Sequence, residues 1–96
     1  MIKVYFADTA GVPMGEPTES ATPLTDFKSL ESLVREALKK TMYFKESRYC
    51  RYWTNPSNNK IVICDFGSYT RYLFIESNEP IDLAAIMSAR RESSNE

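Results

Sequence analysis

The chain contains no histidine. That removes the commonest general base and the commonest metal ligand. A Ser-His-Asp or Cys-His catalytic set cannot be assembled within it. Cysteine is scarce as well: Cys50 and Cys64 are the two present, too few without histidine for a structural zinc set. With three glycines in all, neither the Walker phosphate loop nor GxGxxG can be found. No apolar run approaches the roughly 20 residues of a membrane span. The N-terminal MIKVYFADTAG lacks the basic region, apolar stretch and small-residue cleavage site of a secretory signal. The carboxylates are scattered over loops and helix faces, so none is marked as an acid–base pair. These absences predict a cytoplasmic, non-enzymatic protein with no catalytic residue, no cofactor and no metal.

What remains is ordinary for a globule: 43% apolar and 26% charged residues over 96 positions, enough for one core. The net charge of −1 is unevenly spread. Residues 1–27 set Lys3 against Asp8, Glu16, Glu19 and Asp26. Residues 28–71 hold nine basic residues against Glu31, Glu36, Glu46 and Asp65. Residues 72–96 are acidic again. A basic middle between acidic ends can steer an anionic partner, or simply solvate a helix face. The total excludes both a strongly basic nucleic-acid coat and the acidity of a DNA mimic.

Ile2, Val4 and Phe6 alternate with Lys3, Tyr5 and Ala7, a strand spacing with one apolar face. Residues 8–25 are rich in Gly, Pro, Ser and Thr and read as a long loop. A short strand near 19–27 is the alternative, confined to an edge by Pro23. Leu30, Leu33, Val34, Ala37 and Leu38 then follow the helical period, predicting an amphipathic helix over 29–41. Ser29 is its N-cap, with Asp26 the competitor. Three strands follow, over 48–54, 60–66 and 69–76. Gly67-Ser68 supplies a two-residue hairpin turn and Asn55–Asn59 a longer one. Pro80 stops the last strand, and Asp82 caps a short helix over 82–91. The prediction is an α+β two-layer sandwich in β-α-β-β-β-α order. It forms one domain over 1–91, with a frayed tail at 92–96.

In element order alone, 29–91 resembles the double-stranded-RNA-binding domains, which run α–β–β–β–α. Their second helix opens on lysines. Here the corresponding stretch reads IDLAAIM after Glu76, Glu79 and Asp82, so the phosphate-binding element is missing and the family is not assigned.

Pairing Phe66 with Tyr69 and Thr54 with Lys60 sorts the three strands into two faces. One holds Tyr49, Arg51, Trp53, Ile61, Ile63, Asp65, Thr70, Tyr72 and Phe74, and is expected to pack under the helix. The other holds Arg48, Cys50, Tyr52, Thr54, Lys60, Val62, Cys64, Phe66, Tyr69, Arg71, Leu73 and Ile75. The same register sets Cys50 opposite Cys64, and the expected compartment argues for reduced thiols. Arg48, Tyr52, Lys60, Tyr69 and Arg71 become the candidate partner-binding residues, because Tyr and Arg anchor protein interfaces. The leading expectation is a small interaction or inhibitor protein that occupies a surface on a larger protein or nucleoprotein. In size and kind it is similar to phage and mobile-element accessory proteins such as anti-CRISPR inhibitors. The alternative is an RNA- or single-strand-binding module on the same face. A homodimer through an exposed first or last strand is a further expectation.

Overall fold

The computed structural model describes residues 1–40, 50–68 and 70–94, with side chains described up to residue 88. The elements are β1 (Ile2–Asp8), β2 (Pro13–Ser20), α1 (Phe27–Lys39), β3 (Arg51–Asn55), β4 (Asn58–Asp65), β5 (Arg71–Glu76) and α2 (Leu83–Ser94). The described strands form one antiparallel sheet in the order β2-β1-β5-β4-β3. The class is α+β, as the alternation of sequence periods predicts.

The stretch 8–25 is not all loop, because it contains β2. Asp8 builds the turn that returns the chain. Its carbonyl accepts from the Gly11 N–H at 2.9 Å, and its Oδ1 accepts from the Ala10 and Val12 N–H groups at 2.9 and 3.0 Å. Gly11 takes φ +85°, a conformation that only glycine adopts cheaply. Asp at the first turn position and Gly at the fourth is a type I signature, the signal that marks this hairpin in the sequence. β2 tolerates Pro13 and Pro17 because it lies at the sheet edge.

Helix α1 starts two residues before the predicted span. Asp26, not Ser29, is the N-cap: its Oδ1 accepts from the Ser29 N–H at 2.8 Å, while Ser29 Oγ accepts from the Asp26 N–H at 3.2 Å. This reciprocal capping box satisfies two donors that would otherwise be orphaned. Leu30, Leu33, Val34, Ala37 and Leu38 are buried, as their period predicts. Each of the larger ones contributes about 1.5–3 kcal/mol by leaving water. The α2 cap is confirmed by Asp82 Oδ1, which accepts from the Ala85 N–H at 3.1 Å.

The observed registers differ from the predicted ones by two residues. Tyr52 faces Cys64 and Thr54 faces Val62 across β3–β4, and Cys64 faces Leu73 across β4–β5. An irregularity after Thr54 tightens the first turn, so that Asn55 pairs with Asn58. The second turn is wider than two residues: β4 ends at Asp65 and β5 begins at Arg71. Phe66 is drawn into the core, edge-on to Phe6 at 5.7 Å, which opens that turn. Because strand side chains alternate with a period of two, a two-residue shift leaves the sorting of faces intact.

The side chosen for the core is inverted. Both helices cover the face of Val4, Tyr52, Val62, Cys64, Leu73 and Ile75, which joins Leu30, Leu33, Val34, Ala37, Leu38 and Ile86 in one cluster. Trp53, Ile61 and Phe74, expected beneath the helix, lie on the opposite face. The reason is β1, which inserts beside β5. The pairs Val4–Ile75 and Tyr5–Phe74 tie the apolar side of β1 to the Leu73/Ile75 side of the meander. The polar residues of that side, such as Lys60 and Arg71, fall at strand ends, where they reach the rim. The sheet edges are β2 and β3. The first strand β1 and the last strand β5 are interior neighbours and cannot offer the edge predicted for a dimer.

Candidate functional site

Among the described residues, neither helix covers the second face of the sheet. A row of side chains crosses it at mid-height, set by the pairs Tyr5–Phe74, Phe74–Ile63 and Ile63–Trp53. Tyr5 stacks on Phe74 with ring centroids 5.6 Å apart. Trp53 on β3 reaches across β4 to meet the Tyr72 ring edge-on at 6.0 Å. Tyr5 and Tyr72 pack against a second apolar cluster of Ala7, Ile61, Ile63 and Phe74, each with at most 9% of its surface exposed. Trp53 keeps 38% of its surface in water. The face is therefore internally packed yet presents a broad aromatic roof, with the indole as its most accessible part.

The β1–β2 turn borders this roof. A Cβ placed on Gly11 would sit 4.0 Å from Phe74 Cζ, so the turn backbone lies against the ring tip. At the upper end, Lys3 is the register partner of both Glu19 and Glu76. At the lower end, Arg51 Nη2 donates to Asp65 Oδ2 at 2.9 Å. Among the described residues, the charges set around the aromatic roof are Glu19, Glu76 and Asp65 against Lys3 and Arg51. The Arg51 bond, and then the Gly67 N–H at 2.9 Å, hold the Asp65 carboxyl below its ordinary range. Burial, aided by Glu76, pushes the Tyr5 phenol up.

The predicted partner-binding residues do not converge on this face. Tyr52 is partly buried beneath α1, edge-on to Phe27 at 6.0 Å. Burial first, and then the neighbouring Cys64 and Cys50, push its phenol well above the ordinary tyrosine range. Lys60 is exposed near the start of β4, on the helix-covered side. Arg71 opens β5 on that side, in register with Asp8. Arg48 and Tyr69 lie outside the described residues. Trp53, Tyr72 and Phe74 were legible as aromatic positions on one face of the meander, but the inverted sides hid the exposure of Trp53.

A groove of about 580 Å³ lies elsewhere, between the β2–α1 loop and α1, and is lined by hydroxyls such as Thr18, Ser20, Thr25 and Ser32. Its Asp26 and Ser29 are committed to the helix cap. No three metal-ligating side chains cluster among the described residues. The aromatic face is the better candidate, because it combines accessible anchors with an ordered charge pattern. Compared with protein-family models, curated proteins and solved structures, the chain matches none of them.

Proposed function

We propose that this protein is a non-enzymatic interaction domain that docks on a larger protein through the helix-free sheet face. The observation that carries this reading is the aromatic group of Tyr5, Trp53 and Tyr72 packed around the buried Phe74, with Trp53 the most exposed of its anchors. Tyr and Trp are the side chains that concentrate binding energy in protein interfaces. The rim of Glu19, Glu76 and Asp65 against Lys3 and Arg51 fits a partner with an apolar patch bordered by basic residues. Such a domain acts by occupation, masking a partner surface.

The charge pattern separates this reading from single-strand nucleic-acid binding. A single-strand binder needs cations beside its stacking rings. Here Lys60 and Arg71 are on the other side of the sheet from the rings, and among the described residues the ring face carries more carboxylates than cations.

The test is capture of a stoichiometric partner from source cells, repeated with Trp53→Ala and with Lys60→Ala. Trp53→Ala is expected to weaken binding by about 30-fold or more, the loss typical of a hot-spot anchor, while Lys60→Ala leaves it intact. Binding that survives Trp53→Ala but fails with Lys60→Ala would place the interface on the opposite face. Recovery of an oligonucleotide in place of a protein would refute the reading.

A further inference from the structure

The two edges of the sheet are built differently. β2 forms one edge and carries Pro13, Gly15 and Pro17, with Gly15 at φ +79° and a shift in its register against β1. Proline offers no N–H donor and the irregularity bends the strand, so this edge is a poor template for a further strand. β3 forms the other edge, and among the described residues no strand pairs with it on the side away from β4. Its sequence, Arg-Tyr-Trp-Thr-Asn, holds neither proline nor glycine, and Tyr, Trp and Thr favour strands. Its one charged residue, Arg51, is bonded to Asp65 of its own sheet. Trp53, at the centre of β3, is 38% exposed, whereas its partner Ile63 on β4 is 9% exposed.

We propose that two copies of this chain pair antiparallel through β3, joining their sheets into one. The register that pairs every residue of β3 sets Trp53 against the second copy's Trp53, Tyr52 against its Thr54 and Arg51 against its Asn55. A two-fold axis perpendicular to the sheet relates the copies, so both helix-free faces lie on the same side. The row Tyr5–Phe74–Ile63–Trp53 then continues into the same row of the second copy. Facing indoles cover part of the surface that each leaves in water, and aromatic cross-strand pairs stabilise a ladder. No like charges meet, because the only charged residue of β3 faces an amide. The edge is thus complementary to itself, which selects a second copy as its occupant.

The contrast between the edges also fixes the size of the assembly. A sheet with two open edges adds copies without limit, whereas one open and one blunted edge stop at two. Association released by removing the β2 prolines therefore extends past the dimer. A strand of five residues buries less than the roughly 1,200–2,000 Å² of a standard stable interface, so the dimer dissociates on dilution.

Purified chain alone tests this, without any docking partner. Sedimentation equilibrium from about 1 µM to about 1 mM is expected to show the mass doubling and then holding. Hydrogen exchange read at both ends of that range is expected to slow at β3 amides and to stay unchanged in β2. Asn55→Asp keeps the oxygen that accepts from the Ser57 N–H at 2.8 Å and sets a carboxylate opposite the second copy's Arg51. Asn55→Lys sets like charges there. The pair occurs twice per dimer, so Asn55→Asp is expected to tighten the dissociation constant by about threefold or more and Asn55→Lys to weaken it by as much. A wild type that stays monomeric across the range, or that grows past the dimer, overturns the proposal. So does a dimer whose β3 amides gain no protection. Hydrogen exchange of wild type keeps the test decisive if Asn55→Lys folds poorly.

Discussion

Asp65 joins two elements through one carboxylate: Arg51 of β3 on one oxygen, and the Gly67 N–H of the following turn on the other. Both bonds favour the ionised form, so its folded-state pKa lies below the ordinary 3.8. The stabilisation is complete above that ordinary value and is lost as pH falls through the lower folded value. Asp65→Asn is therefore expected to flatten the acid limb of the stability curve below about pH 4, with wild type and variant converging on acidification. Melting temperatures measured from neutral to acid pH check this, and parallel curves would count against it. The Arg51 side chain is largely exposed, so the ion pair itself contributes only about 0–1 kcal/mol. Asp65 matters more for shaping the turn that lets Phe66 fold inward.

Among the elements, β2 has the least conventional composition for a strand. Most of its residues are exposed, and two prolines interrupt its donors. An edge strand with a full row of free N–H and C=O groups is a template for pairing with another chain. Pro13 and Pro17 blunt that template, and the irregular pairing between Val4 and Phe6 bends it further. Replacing both prolines by Thr is expected to leave the monomer fold in place and to produce concentration-dependent self-association. Static light scattering over a dilution series measures this, and an unchanged mass at high concentration would show that the prolines have no protective role. Helix α1 poses no such hazard, since its capping box and apolar stripe both point to the position it occupies.

On the scale of the whole molecule, the two sheet faces have different physical jobs. The helix-covered face holds Val4, Val62, Leu73 and Ile75 at 2% exposure or less and supplies most of the stability. Leu73→Ala is expected to cost about 2–5 kcal/mol by opening a cavity there. Trp53→Ala removes a ring that is already partly in water, so its stability cost should be about 1–2 kcal/mol. The pair should therefore separate stability from binding, with Leu73→Ala lowering the denaturation midpoint while the folded fraction keeps partner affinity. Trp53→Ala should do the reverse. Denaturant melts alongside partner titrations read both quantities. If the two variants lose binding in proportion to stability, the aromatic face has no separate role.

The sequence by itself determined the local elements and the sorting of residues into two sets. Leu30 to Leu38 repeat with the helical period, and 60–66 and 71–76 alternate with the strand period; these are properties of neighbouring residues. Even a two-residue error in register kept Trp53, Ile63 and Phe74 together, because alternation repeats every second position. Which set the helices would cover was decided only in three dimensions. That choice depends on β1 entering beside β5, a pairing between opposite ends of the sequence, such as Lys3 with Glu76. No local pattern in the meander encodes it. The same long-range pairing put the aromatic set on the helix-free face and partly buried Tyr52 beneath α1, so the candidate site emerged from tertiary contacts rather than from any motif.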